Sequence, residues 1–215
     1  MAEIHKTTMT PTKLELLADW LPGRPWYRGG EGAVPALEKA GGFRLDDPEG
    51  EVGIEFAVVA DTSGEEVHAY LVPMTYRAAP LEGAEGALIG TSEHGVLGTR
   101  WIYDGAHDPV LAAELAALLA GRAVPQAQSV SDTPDPTVEA SFDGTGAFDT
   151  SAAPVVEDGA YGTDLRLGAD APLLLRLARV LDPKATGSRG HVIADWRLPD
   201  GEERRGAYVL VFDAA

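Results

Sequence analysis

Val72-Pro73-Met74-Thr75-Tyr76-Arg77-Ala78-Ala79-Pro80-Leu81-Glu82-Gly83-Ala84, running on to Leu88-Ile89-Gly90-Thr91, ends one strand and turns through two prolines and a glycine. It leads into Trp101-Ile102-Tyr103-Asp104-Gly105. Pro73 has no N–H to give to a ladder, so it belongs at a sheet edge or a strand end. Upstream, Val52 to Ala60 alternates, with Val52, Ile54, Phe56 and Val58 on one face. Asp61-Thr62-Ser63-Gly64 is turn chemistry, and Glu66 to Met74 returns as the partner strand of a hairpin. Downstream, Gly86 to Thr91 is a short apolar segment closed by glycines. Leu97 to Asp104 is a further strand, with Thr99, Trp101 and Tyr103 on one face.

Helices flank this core. Asp108 caps a helix that runs through Ala120, with Pro109 in its first position, Leu111, Leu115, Leu118 and Leu119 buried, and Gly121 ending it. Near the N-terminus, Thr10 and Pro11 open a short helix with an apolar stripe of Leu14, Leu17 and Leu21 beside Leu16 and Trp20, and Pro22-Gly23 stop it. Trp26 and Tyr27, followed by Gly29 and Gly30, read as aromatic anchors of a loop, with sugar stacking as the functional alternative. Pro35 to Ala40 is one helical turn or a loop.

Residues 123–137 are rich in proline and serine and lack apolar periodicity, which marks a linker or surface crossing. Beyond it the chain reads as β. Leu173 to Leu181 suits a strand or a helix by pattern, and its neighbours favour a strand. Two runs, Gly190 to Leu198 and Gly206 to Asp213, flank the turn Pro199-Asp200-Gly201-Glu202 as a hairpin. The expected fold is α+β: an antiparallel sheet with packed helices over residues 1–122, the linker, and a second antiparallel β layer or small β domain over 138–215.

Composition narrows the function. Acidic side chains number 34 against 17 basic ones, a formal charge of −17, and such a field repels polyanions. Nucleic acid and membrane surfaces are therefore not expected partners. No apolar run is long enough to span a bilayer. Met1 to Thr8 has no apolar signal region, so the expected location is the cytoplasm. Cysteine is absent, which removes thiolate catalysis and cysteine–zinc sites. No Gly-Lys-Ser/Thr follows the glycines between Gly83 and Gly98, no dinucleotide fingerprint follows a strand, and no Gly-x-Ser-x-Gly or His-Glu-x-x-His occurs. No cofactor, no metal and no catalytic set is expected.

The densest polar group is Asp104, His107 and Asp108, whose imidazole and carboxylates could move a proton. A lone histidine lacks the further ligands a metal needs, and Asp108 already has work as a helix cap. The candidate ligand-binding residues are Trp26, Tyr27, Arg77, Arg100, Trp101, Asp104 and His107.

Trp20-Leu21-Pro22, Arg24-Pro25-Trp26-Tyr27-Arg28-Gly29-Gly30, Tyr70 to Arg77, and Tyr103-Asp104-Gly105 with Asp108-Pro109 together resemble the N-terminal cap domain of bacterial maltokinases. The likeness covers residues 10–122 and is nearest to stand-alone cap-like proteins, sometimes labelled glucan-branching proteins. The resemblance implies a cystatin-like sheet with a packed helix, placed in its family beside the N-lobe of a maltose-phosphorylating kinase. This sequence departs from the family's pattern at Arg28 and Glu31, where a lysine is common. It also holds no catalytic loop and no metal-binding Asp-Phe-Gly equivalent after residue 137. The expectation is a non-catalytic accessory or binding module of maltose, trehalose or α-glucan metabolism. Its expected partners are a kinase, a glucan-metabolism enzyme or a carbohydrate. The alternatives are a small-carbohydrate enzyme using Asp104, His107 and Asp108, and a small-ligand carrier.

Overall fold

The computed structural model describes residues 9–30, 32–130, 132–144, 148–160, 162–168, 173–187 and 189–214. Met1 to Thr8 and Glu31 lie outside the described residues. In chain order the elements begin with β1 (Met9–Thr10), α1 (Lys13–Trp20), β2 (Leu37–Asp46), β3 (Gly53–Asp61), β4 (His68–Arg77), β5 (Leu88–His94) and β6 (Gly98–Asp104). They continue with α2 (Pro109–Leu119), β7 (Gln126–Ala127), β8 (Glu139–Phe142), β9 (Val155–Gly159), β10 (Gly162–Arg166), β11 (Leu173–Leu177), β12 (Gly190–Arg197) and β13 (Glu203–Asp213).

The α+β expectation is corrected. Among the described residues the fold is mostly antiparallel β, with 13 strands in one sheet and α-helices of only 8 and 11 residues. Two readings account for the difference. The stretch from Pro35, read as a helical turn or loop, enters β2, whose residues from Leu37 to Asp46 pair with Asp61 to Gly53. The C-terminal strands form no separate layer, because the sheet order runs β1-β5-β6-β4-β3-β2-β12-β13-β11-β10-β9. No helix among the described residues is long and apolar enough to cross a membrane.

The sheet curls until it meets itself. After β11 the chain stays extended: Ala178 donates to the Tyr208 carbonyl, and Val180 bridges Tyr70 of β4. Leu71 N–H donates to the Arg179 carbonyl at 3.0 Å, and Leu181 N–H to the Ala69 carbonyl at 2.9 Å. These bonds close a barrel of β4, β3, β2, β12, β13 and the 173–181 run. The opposite join is a single registered pair, Trp196 with Gly41. Phe43, Phe56, Leu71, Leu177, Val192 and Tyr208 all belong to the enclosed core, which α2 also covers through Leu111, Leu115, Leu118 and Leu119. Residues on both sides of the 123–137 segment thus line one interior.

The other face of β3 and β4 is buried as well. Ala57, Val59, Tyr70, Val72 and Met74 pack against Leu17, Trp20, Leu21 and Trp26 from α1 and its following loop. That double burial is why these two strands read as nearly unbroken apolar runs. The helix begins two residues later than Thr10 suggests: Thr12 is the cap, and Glu15 three residues on bonds back to it. Asp108, by contrast, caps α2 as its sequence predicts, accepting from Val110 N–H at 2.9 Å.

Pro73 sits inside β4, opposite Phe56, and not at an edge. It is tolerated there because β4 changes partners on its other side at this residue. Ala69 and Leu71 bond to the 179–181 segment, while Met74 to Arg77 pair with β6. The strand therefore has no ladder bond at Pro73 for the missing N–H to break.

Candidate functional site

The fork at Pro73 places several of the sequence-predicted residues. Asp104 ends β6 there and is buried. Both of its carboxylate oxygens bind Nη2 of Arg179, at 2.7 and 2.6 Å, and Oδ1 also accepts from Ala106 N–H. Arg179 is fully buried, donates from Nε to Thr163 Oγ1 at 2.7 Å, and lies 5.1 Å from the Trp26 ring. Trp26 and Asp104 therefore meet through an arginine on the closing seam. Trp26 is itself buried against Trp20 and Tyr70, which makes it an anchor of the loop.

Arg77 forms a two-pronged ion pair with Asp108, with both distances 2.7 Å, and is the cross-strand neighbour of Trp101. Its guanidinium is held above its ordinary value, first by the Asp108 hydrogen bond. Arg100 donates to the Thr99 carbonyl. His107 is exposed in the turn before α2. The two carboxylates of the densest polar group are thus bound by different arginines, and the imidazole faces solvent. No group of three or more histidine, aspartate or glutamate side chains that could hold a metal occurs among the described residues.

Tyr27 stands apart, on the surface side of Trp26. Its hydroxyl donates to Asp61 Oδ2 at 2.8 Å, and its ring contacts Tyr70 at 5.5 Å. Burial, and then the bond to and charge of Asp61, push the Tyr27 hydroxyl up to about 12. Burial pushes Asp61 the other way from where it ends. The Ser63 N–H, the Tyr27 hydroxyl and the Ala36 N–H outweigh it and hold the carboxyl below its ordinary value.

Three surface clefts border these groups. One of about 270 Å³ lies between the Arg28 loop and the outer wall of β11 and β13, floored by Val180 and Leu210 and edged by Arg176, Asp182 and Thr186. A second, of about 300 Å³, lies on the other side of Arg28 and is lined by Asp61, Glu65, Glu66 and His68. A third, of about 350 Å³, is walled by Asp47, Glu49, Glu51, Arg77 and Glu114. Arg28 borders the first two.

Arg179, Arg176 and Glu55 are structurally central yet were absent from the sequence-derived set. Glu55 carries a visible signal, an acid inside an apolar strand. The two arginines lie in the leucine run from Leu173, where nothing local shows which acid each would meet.

Residues 20–108 match the family model described as the maltokinase N-terminal cap domain. The match runs from the end of α1 to the Asp108 cap of α2 and so includes β2 to β6. No curated protein matches the chain.

Proposed function

We propose that this protein is a non-catalytic accessory module of maltose, trehalose or α-glucan metabolism, acting in the cytoplasm by binding a partner. The partner is a kinase or another glucan-metabolism enzyme, or a carbohydrate. The observation that carries the reading is the shared interior. The strands of the cap segment are completed by β11, β12 and β13 of the same chain into one packed core. Such a body offers surfaces for recognition, and the match of residues 20–108 to the maltokinase cap model suggests the metabolic setting. The rival enzymatic reading loses support from the geometry of Asp104 and Asp108, since each carboxylate is taken up by an arginine.

The test is binding and turnover measured on the purified chain. Migration in native gels containing glycogen is compared with plain gels, and extract is passed over immobilised protein with and without maltose and glycogen. Retardation by glycogen, or capture of a glucan-metabolism enzyme, is expected, with no maltose-dependent consumption of ATP. Maltose-dependent ATP turnover would overturn the proposal, as would the absence of both retardation and capture.

A further inference from the structure

We infer that the cleft between the Arg28 loop and the β11–β13 wall binds a small hydroxylated anion, a carboxylate or phosphate that also carries hydroxyl groups. Arg28 receives the anionic group. Its side chain is exposed, and no carboxylate lies within ion-pair distance of it among the described residues. The backbone beneath it is nonetheless fixed in three ways. Arg28 N–H donates to the Tyr70 hydroxyl at 3.0 Å. The neighbouring Tyr27 hydroxyl is held by Asp61. The Tyr27 ring also lies over Gly29, where an added Cβ would come within 2.0 Å of the phenolic oxygen. A loop anchored in this way loses little backbone freedom on binding, and the planar donors of its arginine match a carboxylate or phosphate.

The opposite wall completes the recognition. Arg176 uses Nε and Nη2 on Asp164, at 2.6 and 2.8 Å, which leaves its other terminal nitrogen unpaired among the described residues. Thr186 adds a hydroxyl, and Asp182 adds an acceptor on the cleft rim. A carboxylate beside the site disfavours a bare anion but favours one whose hydroxyl can donate to it. Val180 and Leu210 give the floor an apolar patch for the carbon skeleton. At about 270 Å³ the cleft falls just below the roughly 300–1,000 Å³ of drug-sized sites, so a small metabolite fits and a dinucleotide does not. The net charge of −17 does not decide the matter, because charges more than about 8 Å away are largely screened at physiological salt.

Tartrate and glycerol 3-phosphate are the two probes, one for each anionic group. Each is titrated into the full chain by calorimetry and thermal shift, against sodium chloride of equal ionic strength and against glycerol. Saturable binding of one probe is expected, weakened about tenfold or more in Arg28→Ala and partly kept in Arg28→Lys. Thr186→Val, at an exposed position, should weaken it less. Which probe binds tells carboxylate from phosphate. The inference is overturned if neither probe saturates, if chloride or glycerol reproduces the effect, or if binding survives Arg28→Ala.

Discussion

Asp104 and Arg179 meet in a buried ion pair, at 2.6 Å, where β4 exchanges one partner strand for another. Arg179 supplies the closing seam with its backbone carbonyl and the fork with its side chain, tying β6 through Asp104 to β10 through Thr163. Removing one member of such a pair strands the other charge in the interior, at a cost of about 3–5 kcal/mol. Arg179→Met and Asp104→Asn should each lower stability by that order in chemical denaturation. The double change Asp104→Asn with Arg179→Met should cost less than the two single changes summed, because no charge is then left alone. Additive losses would show that the pair itself contributes nothing.

Glu55 predicts an acid limit. It is a buried carboxylate on β3 that accepts from Lys13 Nζ at 2.5 and 2.6 Å, from the Tyr76 hydroxyl at 2.6 Å and from Gln128 Nε2 at 2.7 Å. Burial raises its proton affinity. The Lys13 charge and the three donors outweigh burial and hold the carboxyl below its ordinary value of 4.5. A carboxyl depressed in the folded state contributes stability that is fully present above that ordinary value. The contribution fades below it and is gone once the pH has fallen through the folded value. Glu55→Gln should flatten that part of the stability–pH curve and lower stability at neutral pH by about 3 kcal/mol, since Lys13 is left without its countercharge. An unchanged acid slope in the variant would contradict this assignment.

The parts of the fold legible in the sequence were those specified by neighbours. The β3–β4 hairpin follows from its alternation and its Asp-Thr-Ser-Gly turn, and the start of α2 from Asp108-Pro109. Strand β2 was missed because its alternation is interrupted by a bulge between Lys39 and Gly41 and by two glycines in succession. Barrel closure was missed because it rests on distant pairs, Tyr70 with Val180 and Gly41 with Trp196, which leave no local periodicity. The same holds at the fork. Trp26 and Asp104 stood out as unusual residues, but the arginine that joins them lies 75 positions beyond Asp104.

Glu114 on α2 should behave in the opposite sense to Glu55. Burial, and then the negative charge of Asp47, raise its carboxyl above its ordinary value, against a smaller pull from Arg122. A raised carboxyl costs stability at neutral pH, and the cost disappears as the pH falls below its ordinary range. Glu114→Gln should therefore stabilise the protein at pH 7 by about 0.5 kcal/mol or less, with no gain in acid. A thermal melt of both proteins across pH 4–8 reads the difference directly, and a variant less stable at neutral pH would refute the reading.

Gly42 tests the close approach of β2 to β3 beside the join at Gly41. Gly41 and Gly42 follow one another with φ of +141° and +122°, values that side chains rarely adopt. The turn they make brings β2 to its one pairing with β12, at Trp196. A Cβ at Gly42 would stand 2.1 Å from the Phe56 carbonyl oxygen, a backbone atom in the centre of β3 that cannot swing aside. Gly42→Ala should therefore cost about 3 kcal/mol or more, from backbone strain plus displacement of a ladder. Gly50→Ala is the matched control. It also has positive φ, at +73°, but has nothing within 4 Å of the added carbon, so only the strain of roughly 1 kcal/mol applies. Guanidinium midpoints separate the two, and near-ultraviolet circular dichroism reports whether the surroundings of Trp196 loosen in Gly42→Ala alone. Equal losses would mean that backbone conformation, and not the close approach of β2 to β3, is what the glycine supplies.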